Sequence, residues 1–523
     1  MRFRQVLFVL GVTALVVGGA AACSSDDGDA ASPDESSTTT ATDGPAGEPD
    51  GAVSDAFAQR LEGIRGANEI EGPITGGKYG IAYLAMPEGW DEDYGYTEEE
   101  YFLRGDAVGY GTAGELAVDG RWEAIGTSAT QPYATRIVVR RPADAADFNG
   151  TVVVEWLNVS AGRESDPDFG FLAEELLGEG YAYVSVSAQR TGIEPGGLGI
   201  EIPNVAPEAL APLKEWDPER YGALSHPGDT WSYDIFTQAT RTALETGEGT
   251  PLGDLQVERA IAVGESQSAF RMVTYVNAIQ PVTELFDGFL VHSRNGSAAA
   301  LNDQPDAPKP PDGAQIRTDT KVPVFQFQTE TDLDFLNFTP ARQDDTDKIV
   351  TWEAAGTAHA DESTLAYARL AGARWTDAGV DFSSTCGTTN NGPGKPIVQT
   401  AFAALHDWII DGTQPPESPR IEVGDDGEIV RDQDGIALGG IRTPAVDVPI
   451  SVLSGANNSE AIICVLFGSE APFTPEELTA RYGDQSSYVG QVEASAQAAV
   501  DSGYLLPRHA DEIITAAGEV DFG

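Results

Sequence analysis

Arg259-Ala260-Ile261-Ala262-Val263-Gly264-Glu265-Ser266-Gln267-Ser268-Ala269-Phe270 is an apolar run that climbs to a Gly-x-Ser-x-Ser turn, with a helix-like segment directly behind it. That order predicts a strand, a sharp turn and a helix, with the Ser266 hydroxyl standing clear at the head of the helix, as in a nucleophile elbow. Residues two before and two after such a serine must be small, because the strand and helix backbones nearly touch there. Gly264 meets this demand fully, and Ser268 less well than a glycine would. The N–H of Gln267 at the helix N-terminus is then placed to donate to a developing oxyanion. A strand-to-helix turn that merely contains serines reads the same over so short a motif, so the rest of the chain has to decide.

Outward from the elbow, strand-like and helix-like segments alternate. Tyr133–Pro142 reads as a half-exposed strand ending at proline, and Gly150–Asn158 as a buried β-branched strand. A helix over Phe169–Gly178, a strand over Tyr181–Ser187 and an amphipathic helix over Trp231–Glu248 precede the elbow. Strands over Phe286–His292, Pro323–Gln328 and Lys348–Glu353, then a helix over Ile397–Ile410, follow it. This pattern predicts an α/β fold with a mostly parallel central sheet and helices on both faces. Two long polar connections, Arg190–Thr230 and Arg294–Thr320, leave the carboxyl ends of strands and read as cap loops, either lids or binding walls. Residues 416–523 read as a C-terminal extension with helices near Thr474–Tyr482 and Tyr488–Ser502, expected either as a subdomain packed on a core of about 130–415 or as a flap.

A serine hydroxyl needs a base, and the base needs an orienting acid. The chain has only five histidines. His406 lies within an amphipathic helical run and reads as structural, and His509 sits in the late extension. His359, in the small-residue loop Ala355–Asp361 after the last strand, is where a Ser…acid…His order puts the base. His226, His292 and Arg190 are candidates to shape the pocket, and Arg190 or Arg294 could clamp a substrate carboxylate or serve as an ion-pair partner. The acid should follow the strand between serine and histidine, where Glu330, Asp332 and Asp334 stand. Asp332 is the first choice and Glu330 the alternative; a solvated acidic turn is the bland reading. The loop beginning Asn158-Val159-Ser160 should supply the second oxyanion donor through its backbone N–H groups. There is no metal-ligand motif, and no cofactor is implied.

The N-terminus reads as an export signal. Arg2 and Arg4 precede an apolar run over Val6–Ala20, and Ala20-Ala21-Ala22 then leads into Cys23. This arrangement resembles a bacterial lipobox, with residues 1–22 as signal peptide and Cys23 as the lipidated first residue; an ordinary signal peptide or membrane anchor is the other reading. Residues 23–54 are poor in apolar side chains and read as a disordered tether ahead of the domain at 55–523. The expected location is the cell envelope, with the membrane engaged through the lipid alone. The chain carries 31 Lys+Arg against 83 Asp+Glu, which disfavours nucleic acid as a partner. In an oxidising envelope, Cys386 and Cys464 invite one disulfide, with two buried thiols as the alternative.

Phe148–Ser160, Val186–Arg190, Asp217–Tyr221, Leu224–Asp229, Val263–Ala269, Ala355–Asp361 and Leu438–Pro444 together resemble the bacterial "alpha/beta hydrolase domain" family of large esterase-like proteins. The similarity runs over roughly residues 95–510. It implies an α/β-hydrolase fold and a Ser-His-acid triad on Ser266, His359 and Asp332. The expected function is an exported, membrane-tethered serine hydrolase of small carboxylic esters. An acyltransferase using the same triad and a non-catalytic substrate-binding lipoprotein are the alternatives.

Overall fold

Side-chain alternation along the strands assigns the two faces of the central sheet. In β6 (Arg259–Glu265), Ala260 and Ala262 join one hydrophobic layer while Ile261 and Val263 join the other. In β4 (Thr151–Trp156), Val152, Val154 and Trp156 face the first layer and Val153 the second. A strand buried on both faces needs cover on both, and long apolar helices supply it. Helix Ser232–Ala243 contributes Tyr233, Phe236 and Ala239 to the first layer. Helices Pro167–Gly178 and Gly394–Asp411 contribute Phe169, Leu172, Leu176, Ile397, Phe402 and Leu405 to the second.

The computed structural model describes residues 50–197, 210–375, 383–457, 459 and 461–523. Its main sheet has nine strands, completed by β1 (Glu69–Glu71), β2 (Tyr96–Thr112), β3 (Ala124–Pro142), β5 (Ala182–Val186), β7 (Gly288–His292), β8 (Val324–Thr329) and β9 (Ile349–Ala354). The order is β1-β2-β3-β5-β4-β6-β7-β8-β9. Strands β4 to β9 run parallel, and β1 to β3 add an antiparallel flank. This is the α/β-hydrolase fold. The strand order turns around β4 and β5, and β6, which carries the elbow, runs beside β4.

Three expectations are corrected. Strand β2 and residues 124–132 of the 19-residue β3 were not anticipated, and Tyr133–Arg140 is buried rather than half-exposed. The reason is ion pairing across the flank. Arg136 donates to Glu100 at 2.8 Å and to Glu164 at 2.6 Å, and Arg140 donates to Glu98 at 2.9 Å and Asp166 at 3.1 Å. The acids of β2 and the arginines of β3, which separately look like solvated positions, neutralise each other inside the protein. The sheet therefore begins well ahead of residue 130. Helix Asp50–Glu62 likewise begins inside the segment expected to be tether. The signal peptide, Cys23 and residues 23–49 lie outside the described residues, as do residues 198–209 of the first long connection.

The extension packs on the core. Ile441 pairs with Ala354 in parallel and covers the free edge of β9, and Trp352 donates to the Pro416 carbonyl at 2.9 Å. A short antiparallel pair, β10 (Ser451–Ser454) and β11 (Ser469–Pro472), precedes helices Pro475–Tyr482, Gln485–Asp501 and Pro507–Ala517. Cys386 and Cys464 form a disulfide. No helix among the described residues is long and apolar enough to cross a membrane.

Replacing Arg136 with methionine should leave the buried Glu164 carboxylate without its partner. The expected cost is about 3–5 kcal/mol of stability by urea unfolding, with part recovered when Glu164→Gln is added.

Candidate active site

The elbow is made by crowding. A Cβ on Gly264 would lie 2.9 Å from Met272 Cγ and 3.1 Å from the Ser268 backbone, so only glycine fits where β6 passes the helix Gln267–Thr274. Ser268 fits because its side chain is small and fully buried. Between them the chain turns through Ser266 at φ 60° and ψ −116°, a conformation that non-glycine residues rarely adopt. The Ser266 N–H donates to the His292 carbonyl at 3.0 Å, and the Ser266 carbonyl accepts the first helical bond from Phe270 at 3.0 Å. These bonds fix the turn, and the serine side chain is left half-exposed.

His359 sits in the loop after β9. Its Nε2 lies 2.8 Å from Ser266 Oγ, and its Nδ1 lies 2.7 Å from Asp332 Oδ1. A carboxylate only accepts, so Nδ1 is the donor there. Asp332 is held by a capping box at the start of helix Glu330–Asp334: its Oδ2 accepts from the Thr329 N–H at 2.7 Å. The other oxygen is thereby aimed at the imidazole. The backbone N–H of His359 donates to Thr331 Oγ1 at 3.2 Å, and that hydroxyl donates to the Gly455 carbonyl at 2.7 Å.

Glu330 does not touch His359. Its carboxylate accepts from the Gly356 N–H at 2.7 Å, the Gly455 N–H at 3.1 Å and Arg431 at 2.7 Å. It clamps the histidine loop to the extension. Asp334 is exposed.

Asn158 accepts from the Ser160 N–H at 2.8 Å and donates from its amide to the Glu265 carbonyl at 3.1 Å. Its own N–H donates to the Ser165 carbonyl, so Asn158 shapes the loop instead of offering a free donor. Val159 follows it directly, and Gln267 heads the elbow helix, where the first N–H groups have no intrahelical acceptor. His226 is buried with both ring nitrogens committed: Nε2 lies 3.0 Å from the Ala188 carbonyl, and Nδ1 accepts from the Gly228 N–H at 3.3 Å. Burial pulls it below the usual histidine range. His292 is buried with Nδ1 2.8 Å from Asp168 Oδ1. Arg190 is exposed at the head of a short helix, its N–H donating to Asp229 at 2.9 Å. Arg294 is fully buried and donates to Gln326 and to backbone carbonyls. The structure thus brings Ser266, His359 and Asp332 into contact, while the remaining candidates surround them or stand apart.

One contact was missed in the sequence. Glu265 Oε1 lies 3.0 Å from His359 Nε2. Burial pushes this carboxyl up to about 7, against the pull of His359 and His292. On His359, burial acts downward but is outweighed by Glu265 and then Asp332, which together push it up to about 9. The residue sat in plain view between Gly264 and Ser266, but its aim depends on the turn. Among the described residues, no group of three or more His, Cys, Asp or Glu side chains is arranged to hold a metal ion.

The alpha/beta hydrolase domain family matches residues 70–515. No curated protein matches the chain. Among solved structures, a glucuronoyl esterase from Solibacter usitatus is similar at 12% identity, over 62% of this chain and 92% of that one, with a TM-score of 0.26. A lidless α/β serine hydrolase from Xanthomonas campestris is similar at 10% identity, over 47% and 83%, with a TM-score of 0.24. Acetyl xylan esterase 1 from a Thermoanaerobacterium species follows at 9% identity, over 48% and 60%, with a TM-score of 0.21.

Two substitutions test this architecture by thermal or urea unfolding. Gly264→Ala should cost about 1–3 kcal/mol through overpacking. Glu330→Ala, which strands two N–H donors and Arg431, should cost about 3–5 kcal/mol.

Proposed function

The chain belongs to the alpha/beta hydrolase domain family, and within it we propose an exported, membrane-tethered serine hydrolase that cleaves small carboxylic esters through an acyl-enzyme. The observation that carries this reading is the unbroken hydrogen-bonded line Ser266–His359–Asp332, at 2.8 and 2.7 Å, ending on a serine held in the strained elbow conformation.

In this reaction Ser266 Oγ attacks the acyl carbon as its proton passes to His359 Nε2. Asp332 holds the imidazole through Nδ1 and stabilises the imidazolium that forms. The negative charge moves to the former carbonyl oxygen, where the N–H groups of Gln267 and Val159 receive it. Collapse of the tetrahedral intermediate breaks the ester C–O bond, and the alcohol leaves with the proton from Nε2. Water then repeats the sequence against the acyl-serine, with His359 again as base, and releases the acid. Export and lipid anchoring through Cys23 rest on the basic, apolar and small-residue order of the first 23 residues.

Short- and medium-chain p-nitrophenyl esters are the first substrates to use with the full chain. Ser266→Ala and His359→Ala should each lower kcat about 10⁶-fold, and Asp332→Asn about 10⁴-fold. Turnover that survives Ser266→Ala, or a fluorophosphonate that fails to label Ser266, would overturn the serine mechanism. Cys23→Ala should move the protein from the membrane fraction to the soluble one; an unchanged distribution would remove the anchor.

A further inference from the structure

Two oxygens compete for the same nitrogen in this site. His359 Nε2 can carry one proton, yet Ser266 Oγ stands at 2.8 Å and Glu265 Oε1 at 3.0 Å. Glu265 is buried and poorly served elsewhere. Among the described residues, its only other polar neighbour within hydrogen-bond reach is Asn158 Nδ2, 3.5 Å from Oε2, at the limit of a useful bond. Two other carboxylates of the site are well supplied, whereas Asp168 has His292 at one oxygen and, among the described residues, no partner at the other. Asp332 receives Nδ1 of His359 and the Thr329 N–H, and Glu330 receives two N–H groups and Arg431. A buried carboxylate without donors is tolerated only if it is protonated or faces a cation. The imidazolium of His359 is the cation that Glu265 faces.

We propose, building on the ester-hydrolase reading, that Glu265 is a positioning residue whose carboxylate holds the His359 imidazolium at Nε2 and so sets the pH at which the enzyme becomes active.

The groups facing Glu265 come from four elements. His359 stands in the loop after β9, Asp332 in helix Glu330–Asp334, His292 on the adjacent β7, and Asp168 in helix Pro167–Gly178. The two histidines favour its ionised form, while the two aspartates and burial oppose it. His292 is bonded to Asp168 at 2.8 Å, which leaves His359 as the partner in direct contact. With Asp332 and Glu265 both ionised around one imidazole, a lone pair on Nε2 would face a second negative charge, and a proton there relieves it. Between about 7 and about 9 the site then rests as an imidazolium between two carboxylates.

Such a site is stable but cannot take the Ser266 proton until Nε2 gives up its own, to solvent. The neutral imidazole is the active form, so kcat/KM rises as pH increases and levels off above the His359 value near 9. Once the base is free, the same carboxylate assists. When the Ser266 proton moves to Nε2 and the Oγ–C bond forms, the new imidazolium is held on both sides until the proton passes to the leaving alcohol. Glu265 therefore delays activity in pH and strengthens it on the plateau. A residue that only supported the fold would do neither.

The test compares pH profiles of kcat/KM on a p-nitrophenyl ester for the wild-type full chain, Glu265→Gln and Glu265→Asp. The wild-type midpoint should lie near 9. Glu265→Gln should bring it down by about one to three pH units and lower the plateau about tenfold, and Glu265→Asp should restore part of both. A low-field NMR resonance of the His359 imidazolium, followed against pH, reads the same protonation without substrate. It should disappear at lower pH in Glu265→Gln than in the wild type, and in Glu265→Asp if the glutamine variant does not fold. Ser266-dependent turnover with the same midpoint in folded wild type and variant would overturn the role of Glu265 alone. Absence of Ser266-dependent turnover would overturn the ester-hydrolase reading, and the NMR titration would still decide whether Glu265 holds the imidazolium.

Discussion

The backbone of β6 passes so close to the helix behind it that a Cβ at Gly264 would meet Met272 at 2.9 Å. That approach leaves the intervening residue one way to turn, with Ser266 at positive φ. The geometry around the serine follows from it. Its N–H is tied to β7 through the His292 carbonyl, and Gln267 starts a helix with its N–H unused by the helix itself. Glu265, the last residue of the strand, is brought against the histidine that also meets Ser266. The parallel sheet supplies the rigid frame: β8 and β9, two and three strands away from β6, deliver Asp332 and His359 to the same end. Strain in one residue is tolerated because β6 before it is buried on both faces and the helix after it packs Ser268, Ala269, Met272 and Val273 into the core.

Burial of charge is the second theme of this chain. Its many acids do not all reach solvent, and each buried one has to be satisfied. Glu100 and Glu164 meet Arg136, and Glu353 meets Arg342 at 2.7 Å with further support from the Ile421 N–H. Glu155 accepts from the N–H groups of Asp168 and Phe169 at the start of a helix and from Tyr183. Each of these four carboxylates thus has at least one donor, although one oxygen of Glu164 has none among the described residues. Asp168 and Glu265 each have chiefly an imidazole, of His292 and His359 respectively, and of the two only Glu265 stands beside the nucleophile.

The extension belongs to the active-site architecture. Gly455 receives the Thr331 hydroxyl and donates to Glu330, the Ala360 N–H donates to the Leu466 carbonyl, and the Asn390 N–H donates to the Phe467 carbonyl. The histidine loop is thereby held by residues about a hundred positions further along the chain. The disulfide between Cys386 and Cys464 closes the same neighbourhood, packing with Leu365, Ile463 and Phe467. Order in that loop matters because His359 must keep two short contacts at once.

Local rules in the sequence determined the parts with a strong local signature. Apolar runs bounded by turns marked strands β4 to β9, small residues around Ser266 marked the elbow, and chain order singled out His359 and the acidic turn after β8. These features are legible because steric demand and periodicity act over a few residues. Tertiary structure decided everything that depends on pairing over distance. The acids of β2 and arginines of β3 look like solvent-facing positions until each meets the other inside the sheet. Glu330 and Asp332 are two similar carboxylates in one turn, and only the fold turns one to the imidazole and the other to Gly356, Gly455 and Arg431. Glu265 stands beside the serine in the chain, yet its contact with His359, 94 positions away, exists only once β9 and its loop are in place. Charge interacts through space, so its consequences are decided by the fold.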